Sequence, residues 1–378
     1  MNQSELMLKA VSLAEKGKGK TFPNPCVGAL IVAGNEIVGQ GHHRAFGADH
    51  AEVEAIKDAV SKGYDLSSCS LFVTLEPCNH QGKTPPCTRA VLESGIKDVV
   101  IGTMDPNSNV AGGGAEFLKQ SGIRVTTGTE EQKCRDLIAD FTVWQQSSRA
   151  YLYLKMASTL DGRIATRENH SRWVTSDASR KKVHQLRSVA GAVIIGGNTF
   201  YRDNPRLTCR GFEKDQQPLR IIVTSRLPVP GSDFSLLNQR PDQTMFWTDP
   251  ETSASPAAGR LRDLGCHIMA LDKNQTGLDL NQGLTRLRQD RNIHYAMCEG
   301  GGGLGLSFIM AGLADEIWYF MAMKILGDDQ GVPVFYGREP KLMQEAINLR
   351  LSSSRVIGDD LWLRLFPEDR TLTVNSKL

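Results

Sequence analysis

The sequence predicts an α/β protein assembled from two successive α/β parts. Strand-like and helix-like segments alternate along almost the whole chain, the pattern of sheets covered by helices. A polar stretch, QQSSRA at residues 145–150, breaks that alternation. With 378 residues, 40% of them hydrophobic, the chain can fill more than one core. The expected division is 1–147, 148–367 and a loose tail over 368–378.

The first part opens with a helix over about residues 4–16, where Leu6, Leu8, Ala10, Val11, Leu13 and Ala14 make an apolar stripe. VGALIVAGNEIVGQG then reads as two strands joined by a turn at Gly34–Asn35. A helix follows over about 50–60, and SLFVTL is a buried type of strand. From Cys87 onward come a helix, the strand DVVIGT, another helix, the strand IRVTTG and a charged helix from about residue 129. This order predicts a three-layer α/β unit. The second part restarts with YLYLKMAS as a strand. Further strands are expected at AVIIGG, LRIIVTS, TMFWT, CHIMAL, IHYAMCEGG, DEIWYFMAM and LWLRLF, with helices over 177–189 and 279–290 among them.

Composition narrows the setting. Residues 1–147 carry 14 Lys/Arg against 17 Asp/Glu, a net −3, while the remainder carries 30 against 25, a net +5. An acidic first part is a poor surface for nucleic acid, because such binding draws on phosphate neutralisation. The basic second part suits phosphorylated small molecules, and an ordinary solvated surface would give the same balance. No run approaches the ~18 apolar residues of a membrane span, and the N-terminal stretch lacks a signal peptide's apolar core. Eight cysteines spread over the chain do not form a secreted disulfide framework. The expected setting is the cytoplasm, away from membranes.

Two short segments carry chemistry. DHAEVEA, residues 49–55, is on its own a helix start, with Asp49 as N-cap and Glu52 three residues on. LEPCNHQGKTPPC, residues 75–87, is on its own a polar loop with two thiols. Together they offer one imidazole and two thiols, His50, Cys78 and Cys87. Three protein ligands leave the fourth tetrahedral position open, as a catalytic zinc requires. His-x-Glu followed by Pro-Cys-x-x-Cys is the pattern of zinc deaminases, with the unligated Glu, here Glu52, moving protons. Eight residues rather than two separate these cysteines. Pro85 and Pro86 suit a helix start, so Cys87 should open a helix whose amides favour its thiolate. His80 is a rival ligand inside the loop. The other six cysteines lack ligand-like spacing and read as packing thiols.

These strings, with FPNPCVG (22–28), HAE (50–52), EPCNHQGKTPPC (76–87) and DPNSNVAGGG (105–114), resemble the deaminase half of the bifunctional RibD family of riboflavin biosynthesis. LKMASTLDGRIA (154–165), SRWVTS (171–176), GGNTFYRDNPRLTCR (196–210) and EGGGGLGLSF (299–308) resemble its reductase half, in family order. The resemblance implies a cytidine-deaminase-like domain followed by a dihydrofolate-reductase-like domain. It implies zinc-dependent deamination of 2,5-diamino-6-(5-phosphoribosylamino)pyrimidin-4-one. NADPH-dependent reduction of the ribosyl group to ribityl would follow, giving 5-amino-6-(5-phosphoribitylamino)uracil. The implied partners are phosphorylated pyrimidines, in a homo-oligomeric cytoplasmic enzyme holding one Zn2+ per chain.

The resemblance also makes Asn24 a substrate contact in the deaminase half. In the reductase half it places NADPH on Ala157, Trp173, Thr199, Asp203, Gly301, Gly302, Gly303, Leu304, Gly305, Leu306 and Ser307. Substrate falls on Ser171, Arg187, Leu207, Arg210 and Glu299. Unaided, GGGGLG is a turn or a phosphate cradle at a helix start, since no acid follows at the spacing of a Rossmann unit. Trp173 alone would be core, and the two arginines ordinary surface residues. Lys155 receives no role. Two positions depart from the family: Gly113, where a basic residue is frequent, and Asn204, where an acid is frequent.

Two other functions are weighed. A nucleic-acid-editing deaminase with an inert C-terminal part conflicts with the −3 charge and with the C-terminal strings. A structural-zinc module leaves Glu52 and the open ligand position without purpose.

Overall fold

The computed structural model describes residues 1–80, 85–107, 113–212, 216–229, 231–275 and 277–368. The chain divides into two compact units, Met1–Ser147 and Ser148–Leu378. The expected tail falls almost wholly outside the described residues, as do the middles of the 76–87 and 105–114 strings.

The first unit runs α1 (Gln3–Ala14), β1 (Gly28–Ala33), β2 (Glu36–His42), α2 (Ala51–Ser61), β3 (Cys69–Leu75) and α3 (Cys87–Glu93). It continues with β4 (Asp98–Thr103), α4 (Gly113–Gln120), β5 (Arg124–Thr127), α5 (Glu131–Leu137) and α6 (Ala139–Gln146). The strands form one sheet in the order β2-β1-β3-β4-β5. β1 is antiparallel to both neighbours, and β3, β4 and β5 are parallel. Successive side chains leave a strand on opposite faces, so β1 serves two cores. Leu30 and Val32 meet Leu6, Met7 and Ala10 of α1, while Ala29 and Ile31 join Ala51, Ala55 and Ala59 of α2. These are the three expected layers.

α2 lies very close to the sheet, which fixes what its first turn presents. A Cβ on Gly39 or Gly41 of β2 would come within 2.4 Å of Ala55 O or 2.3 Å of Ala51 O, so only glycine fits there. The charged helix expected from residue 129 is instead two helices. Lys18 Nζ donates to Leu137 O at 3.0 Å, and Phe141 N–H bonds to Asp140 Oδ1 at 2.9 Å. Both ends of the 137–141 helical bond are thereby diverted, and the helix breaks at Ile138.

The second unit starts with β6 (Tyr151–Thr159), β7 (Arg163–Ala165), α7 (Asp177–Val189), β8 (Ala192–Gly196), α8 (Gly197–Asp203) and β9 (Leu219–Val223). There follow α9 (Ser235–Gln239), β10 (Thr244–Thr248), α10 (Pro250–Ser253), α11 (Pro256–Asp263), β11 (His267–Ala270), β12 (Lys273–Asn274), β13 (Gly277–Leu278) and α12 (Leu280–Arg291). The rest is β14 (Tyr295–Cys298), α13 (Gly302–Met310), β15 (Glu316–Ala322), β16 (Val332–Pro333), β17 (Leu349–Ile357) and β18 (Asp360–Pro367). Nine strands form the main sheet, ordered β11-β10-β9-β8-β14-β6-β15-β18-β17. β11 through β15 of that order are parallel, and β18 and β17 add an antiparallel edge. One face packs Leu152, Leu154, Ile194, Trp247 and Ile317 against Leu284 and Leu287 of α12 and Phe308 of α13. The other packs Val193, Ile195, Ile222 and Phe246 against Phe200 of α8 and Leu261 of α11. β17 was not expected. Its sequence, LRLSSSRVI, is mostly polar because it is an edge strand with little of its surface in the core.

A buried ion pair ties the start of this unit to β15. Arg149 Nη1 and Nη2 each lie 2.7 Å from an Asp315 oxygen, and Leu152 N–H donates to the same carboxylate at 2.8 Å. Arg149→Ala would strand a carboxylate that is 1% exposed. It is expected to destabilise the second unit by about 3–5 kcal/mol, read as a lowered urea midpoint. A loss below about 1 kcal/mol would mean that Asp315 is sufficiently served by its backbone donor.

Candidate functional site

The first unit gathers its chemical groups where β1, β3 and α2 meet. Helix α2 begins one residue later than its sequence suggests. His50, not Asp49, is the N-cap residue and makes no side-chain capping bond. The Asp49 carboxylate takes Lys57 Nζ at 2.5 Å instead. His50 therefore has extended backbone while Glu52 sits in the first turn, and both line one cleft of about 340 Å³. Pro23, Asn24, His43, Glu76, Cys78, His80, Asp105, Phe141 and Gln145 contribute further walls.

His50 Nδ1 lies 3.1 Å from Cys87 Sγ and 3.6 Å from Cys78 Sγ, and all three donor atoms fall within 4.8 Å of one another. Tetrahedral zinc, with bonds of about 2.3 Å to sulfur and 2.0–2.1 Å to nitrogen, sets such atoms roughly 3.5–3.8 Å apart. The three residues fit that ion. His80 lines the cleft but lies outside this donor group. Cys87 opens α3 with Pro86 as N-cap residue. The amide at that helix start favours a different thiol than its position suggests: Cys87 N–H points at Cys78 Sγ, 3.4 Å away. Hydrogen bonding from Cys87 pulls the Cys78 thiol down to about 4, and the Cys87 thiol is pushed well above its usual value by the same contact. Glu52 is 3% exposed, and burial pushes its carboxyl up to about 7.

Beside this cluster, His43 Nδ1 lies 3.1 Å from Asp49 O and its Nε2 lies 3.2 Å from Asn24 Nδ2. The carbonyl requires a proton on Nδ1, so Nε2 accepts from the Asn24 amide. Asn24 is thereby oriented, with Oδ1 left as the acceptor it can turn to the cleft. Glu76 acts as a clamp. Its Oε1 accepts from Gly114 and Ala115 N–H at 3.1 and 2.9 Å, and its Oε2 from Asp105 N–H at 3.2 Å. Sequence reasoning passed over His43 and Glu76. Both stand beside the motifs, in GHH and EPC, and the polar residue ending an apolar strand was the available signal. At Gly113 an added Cβ would meet just Asn79 Cβ at 3.8 Å, so the missing basic side chain reflects no lack of space.

The second unit holds a cleft of about 310 Å³ lined by Lys155, Ala157, Ser171, Trp173, Thr199, Asp203, Glu299, Gly301 and Tyr336, among others. Ala157 lies near the end of β6, Glu299 directly follows β14 and Thr199 lies in α8. The cleft is therefore at the C-terminal ends of parallel strands, where α/β sheets bind ligands. Gly301 is the N-cap residue of α13, and the first amides of a helix have no partner within it. Gly305 N–H already returns to Gly301 O at 3.1 Å, Leu306 is buried, and Ser307 Oγ donates to Gly303 O at 3.0 Å. A Cβ on Gly302 would come within 2.4 Å of Val334 O, so packing alone already requires glycine at that position.

Among the expected substrate residues, Ser171 and Glu299 line the cleft, whereas Arg187, Leu207 and Arg210 do not. Arg187 forms a two-pronged pair with Glu299, Nη2 to Oε2 at 2.7 Å, and donates to Thr208 O at 2.9 Å. Leu207 is buried among Val193, Phe200 and Leu236. Arg210 is exposed, its backbone N–H on His184 Nδ1 at 3.2 Å. Lys155, unassigned from sequence, is half-buried beside Glu299 and lines the cleft. Burial lowers its ammonium pKa, with Glu299 acting against that shift. Burial would raise the Glu299 carboxyl, but Arg187 and Lys155 outweigh it and hold the pKa below the usual range. Asn204 adopts φ +41° at the end of α8, a conformation Asn tolerates. Its amide bridges Ser235 N–H and Asp233 O at 2.7 and 2.9 Å.

Residues 1–103 match the family described as the cytidine and deoxycytidylate deaminase zinc-binding region, and residues 150–363 match the RibD C-terminal domain. The riboflavin biosynthesis protein RibD of Aquifex aeolicus is 40% identical, over 94% of this chain and 96% of its own. That of Escherichia coli is 33% identical, over 97% and 99%. A solved structure from Thermotoga maritima is 34% identical with a TM-score of 0.73, covering 96% of this chain and 98% of that one. It is described as a diaminohydroxyphosphoribosylaminopyrimidine deaminase/5-amino-6-(5-phosphoribosylamino)uracil reductase. Acinetobacter baumannii RibD gives 32% and 0.71, at 96% and 98% coverage.

Proposed function

The chain belongs to the RibD family of bifunctional riboflavin-biosynthesis deaminase–reductases, which use zinc and NADPH, and from that premise we propose how its residues divide the work. Residues 1–147 carry the deaminase and residues 148–367 the reductase. His50, Cys78 and Cys87 would hold one zinc ion, and the observation that carries this is their convergence within 4.8 Å beside the Glu52 cleft. When bound, zinc supplies a water nucleophile at neutral pH. Glu52 would move two protons from that water in turn, the first to the ring nitrogen as the carbon–oxygen bond forms and the second to the amine, which leaves as ammonia. Asn24, held by His43, orients the pyrimidine, and the buried walls exclude other water. The substrates are small phosphorylated pyrimidines, as in the relative from Thermotoga maritima. Among the described residues no helix is long and apolar enough to cross a membrane.

In the second unit, Ala157, Trp173, Thr199 and Asp203 would hold NADPH, the amides that open α13 would suit its phosphates, and the bound cofactor would supply the hydride for the ribosyl group. Lys155 and Glu299 supply charge beside the ribosyl group. Arg187 fixes Glu299, so its contribution to substrate is made through that carboxylate.

Gly301→Val tests the cofactor site cleanly. Gly301 has φ −66°, open to a β-branched residue, and an added Cβ would meet just Thr199 Oγ1 at 3.8 Å. The new bulk therefore enters the cleft. At Gly302 the same change would displace residues 334–335 and confuse packing with binding. Gly301→Val is expected to weaken NADPH by roughly 5- to 150-fold, the effect of about 1–3 kcal/mol of steric conflict. Wild-type affinity by fluorescence titration would place the cofactor elsewhere. Incubating the protein with the diaminopyrimidine, with and without NADPH, and following products by mass separates the two half-reactions.

A further inference from the structure

The turn after β15 is held rigidly from the neighbouring strand. Leu160 N–H donates to Lys324 O at 2.8 Å, and the Asp161 carboxylate accepts from Leu326 and Gly327 N–H, at 3.1 and 2.8 Å. From this fixed base the Lys324 ammonium reaches across to another segment. It donates to the carbonyls of both Trp173 and Val174, at 2.9 and 3.0 Å. The same two segments are joined again by Arg167 and Asp328, Nε to Oδ2 at 3.0 Å. The tethered stretch supplies Ser171, Trp173, Val174 and Thr175 to the cleft wall. Lys324 is absent from that wall and lines an adjoining cavity of about 200 Å³.

Trp173 has reason to need a tether. Its indole is 64% exposed, with the Arg180 guanidinium 4.2 Å over the ring. A large side chain on a surface loop must be ordered when a ligand stacks on it, and ordering costs affinity unless it is done beforehand. An ammonium donating to the carbonyl of the indole residue itself and to the next one fixes the backbone that aims the ring. An exposed lysine with no such duty would have little reason to meet two consecutive carbonyls.

We propose that Lys324 is a positioning residue of the reductase, which acts through Trp173 to pre-order the cofactor cleft. This rests on reading that cleft as the NADPH site. The test compares NADPH dissociation constants, by fluorescence titration of the full chain, for wild type, Lys324→Met, Lys324→Arg, Trp173→Ala and the Lys324→Met/Trp173→Ala double variant. Lys324 is exposed, so its truncation opens no cavity, and melting temperatures report that each variant is folded.

Lys324→Met is expected to weaken NADPH roughly tenfold, in keeping with the loss of charge-assisted hydrogen bonds that are partly screened by solvent. Lys324→Arg, which can still donate to both carbonyls, should recover most of that loss. The double variant should bind no more weakly than Trp173→Ala alone, because the lysine acts through the indole. Wild-type affinity in Lys324→Met, or a double variant weaker by the product of the two factors, overturns the positioning role while leaving the cleft in place. Wild-type affinity in Trp173→Ala overturns the cleft reading, and the positioning role with it.

Discussion

Glu52→Gln is expected to keep zinc bound while slowing deamination by roughly 10²–10⁴-fold or more, the range for a lost acid–base group. The substitution keeps the volume of a side chain that is 3% exposed in the first turn of α2. The close packing of Ala51 and Ala55 on the β2 glycines, which sets where that turn points, is untouched. What is lost is a carboxylate that can accept and return a proton two residues from His50. The measurements are zinc per chain by atomic absorption and the deaminase half-reaction without NADPH. If zinc is lost with the carboxylate, Glu52 is a ligand and the proton-shuttle role fails.

How much of this was legible in the sequence depends on how far apart the cooperating residues are. The three layers of the first unit follow from local patterns, because β1 and β3 are apolar on both faces and the helices carry single stripes. His50 and Glu52 lie in one short string, and Cys78 and Cys87 in another, so their chemistry could be read before their geometry was known. The start of α2 was misplaced by one residue. Asp49 has a capping side chain, but Lys57 on the same helix claims it. The reductase cleft was far less legible. Lys155 and Glu299 become neighbours because β14 pairs with β6, with Cys298 opposite Leu154, and no local pattern reports the pairing of strands so distant in sequence. Arg187 reads, unaided, as an ordinary surface arginine, yet its guanidinium is held by Glu299, 112 residues away in the chain. At Gly302 the carbonyl of Val334 lies where a Cβ would be, so packing by itself demands glycine there whatever its amide serves. In each case the informative contact is long-range, and no local pattern reports it.

Cys87→Ser is expected to lose zinc and with it deaminase activity, and it separates the two ligand sets that the 76–87 loop offers. A serine hydroxyl fills nearly the same space at the first position of α3 but is a poor zinc ligand beside a thiolate. With His50 and Cys78 alone, two of four positions remain. The affinity loss should exceed the roughly 10–100-fold typical of losing an outer-shell partner. Cys69→Ser is the matched control. That thiol is also buried, at 3% exposure, but lies at the start of β3 with its Sγ 3.5 Å from Asp65 O, outside the donor cluster. It should keep both zinc and activity, so loss in the Cys87 variant alone cannot come from a buried hydroxyl in this unit. His80 provides the competing outcome. It lines the same cleft, and if it completes the ligand set in place of Cys87, the Cys87→Ser protein will purify with full zinc. Full zinc would transfer the third position to His80 and leave Cys87 as the packing residue at the head of α3, whereas zinc-free protein that is still folded fixes the set as His50, Cys78 and Cys87.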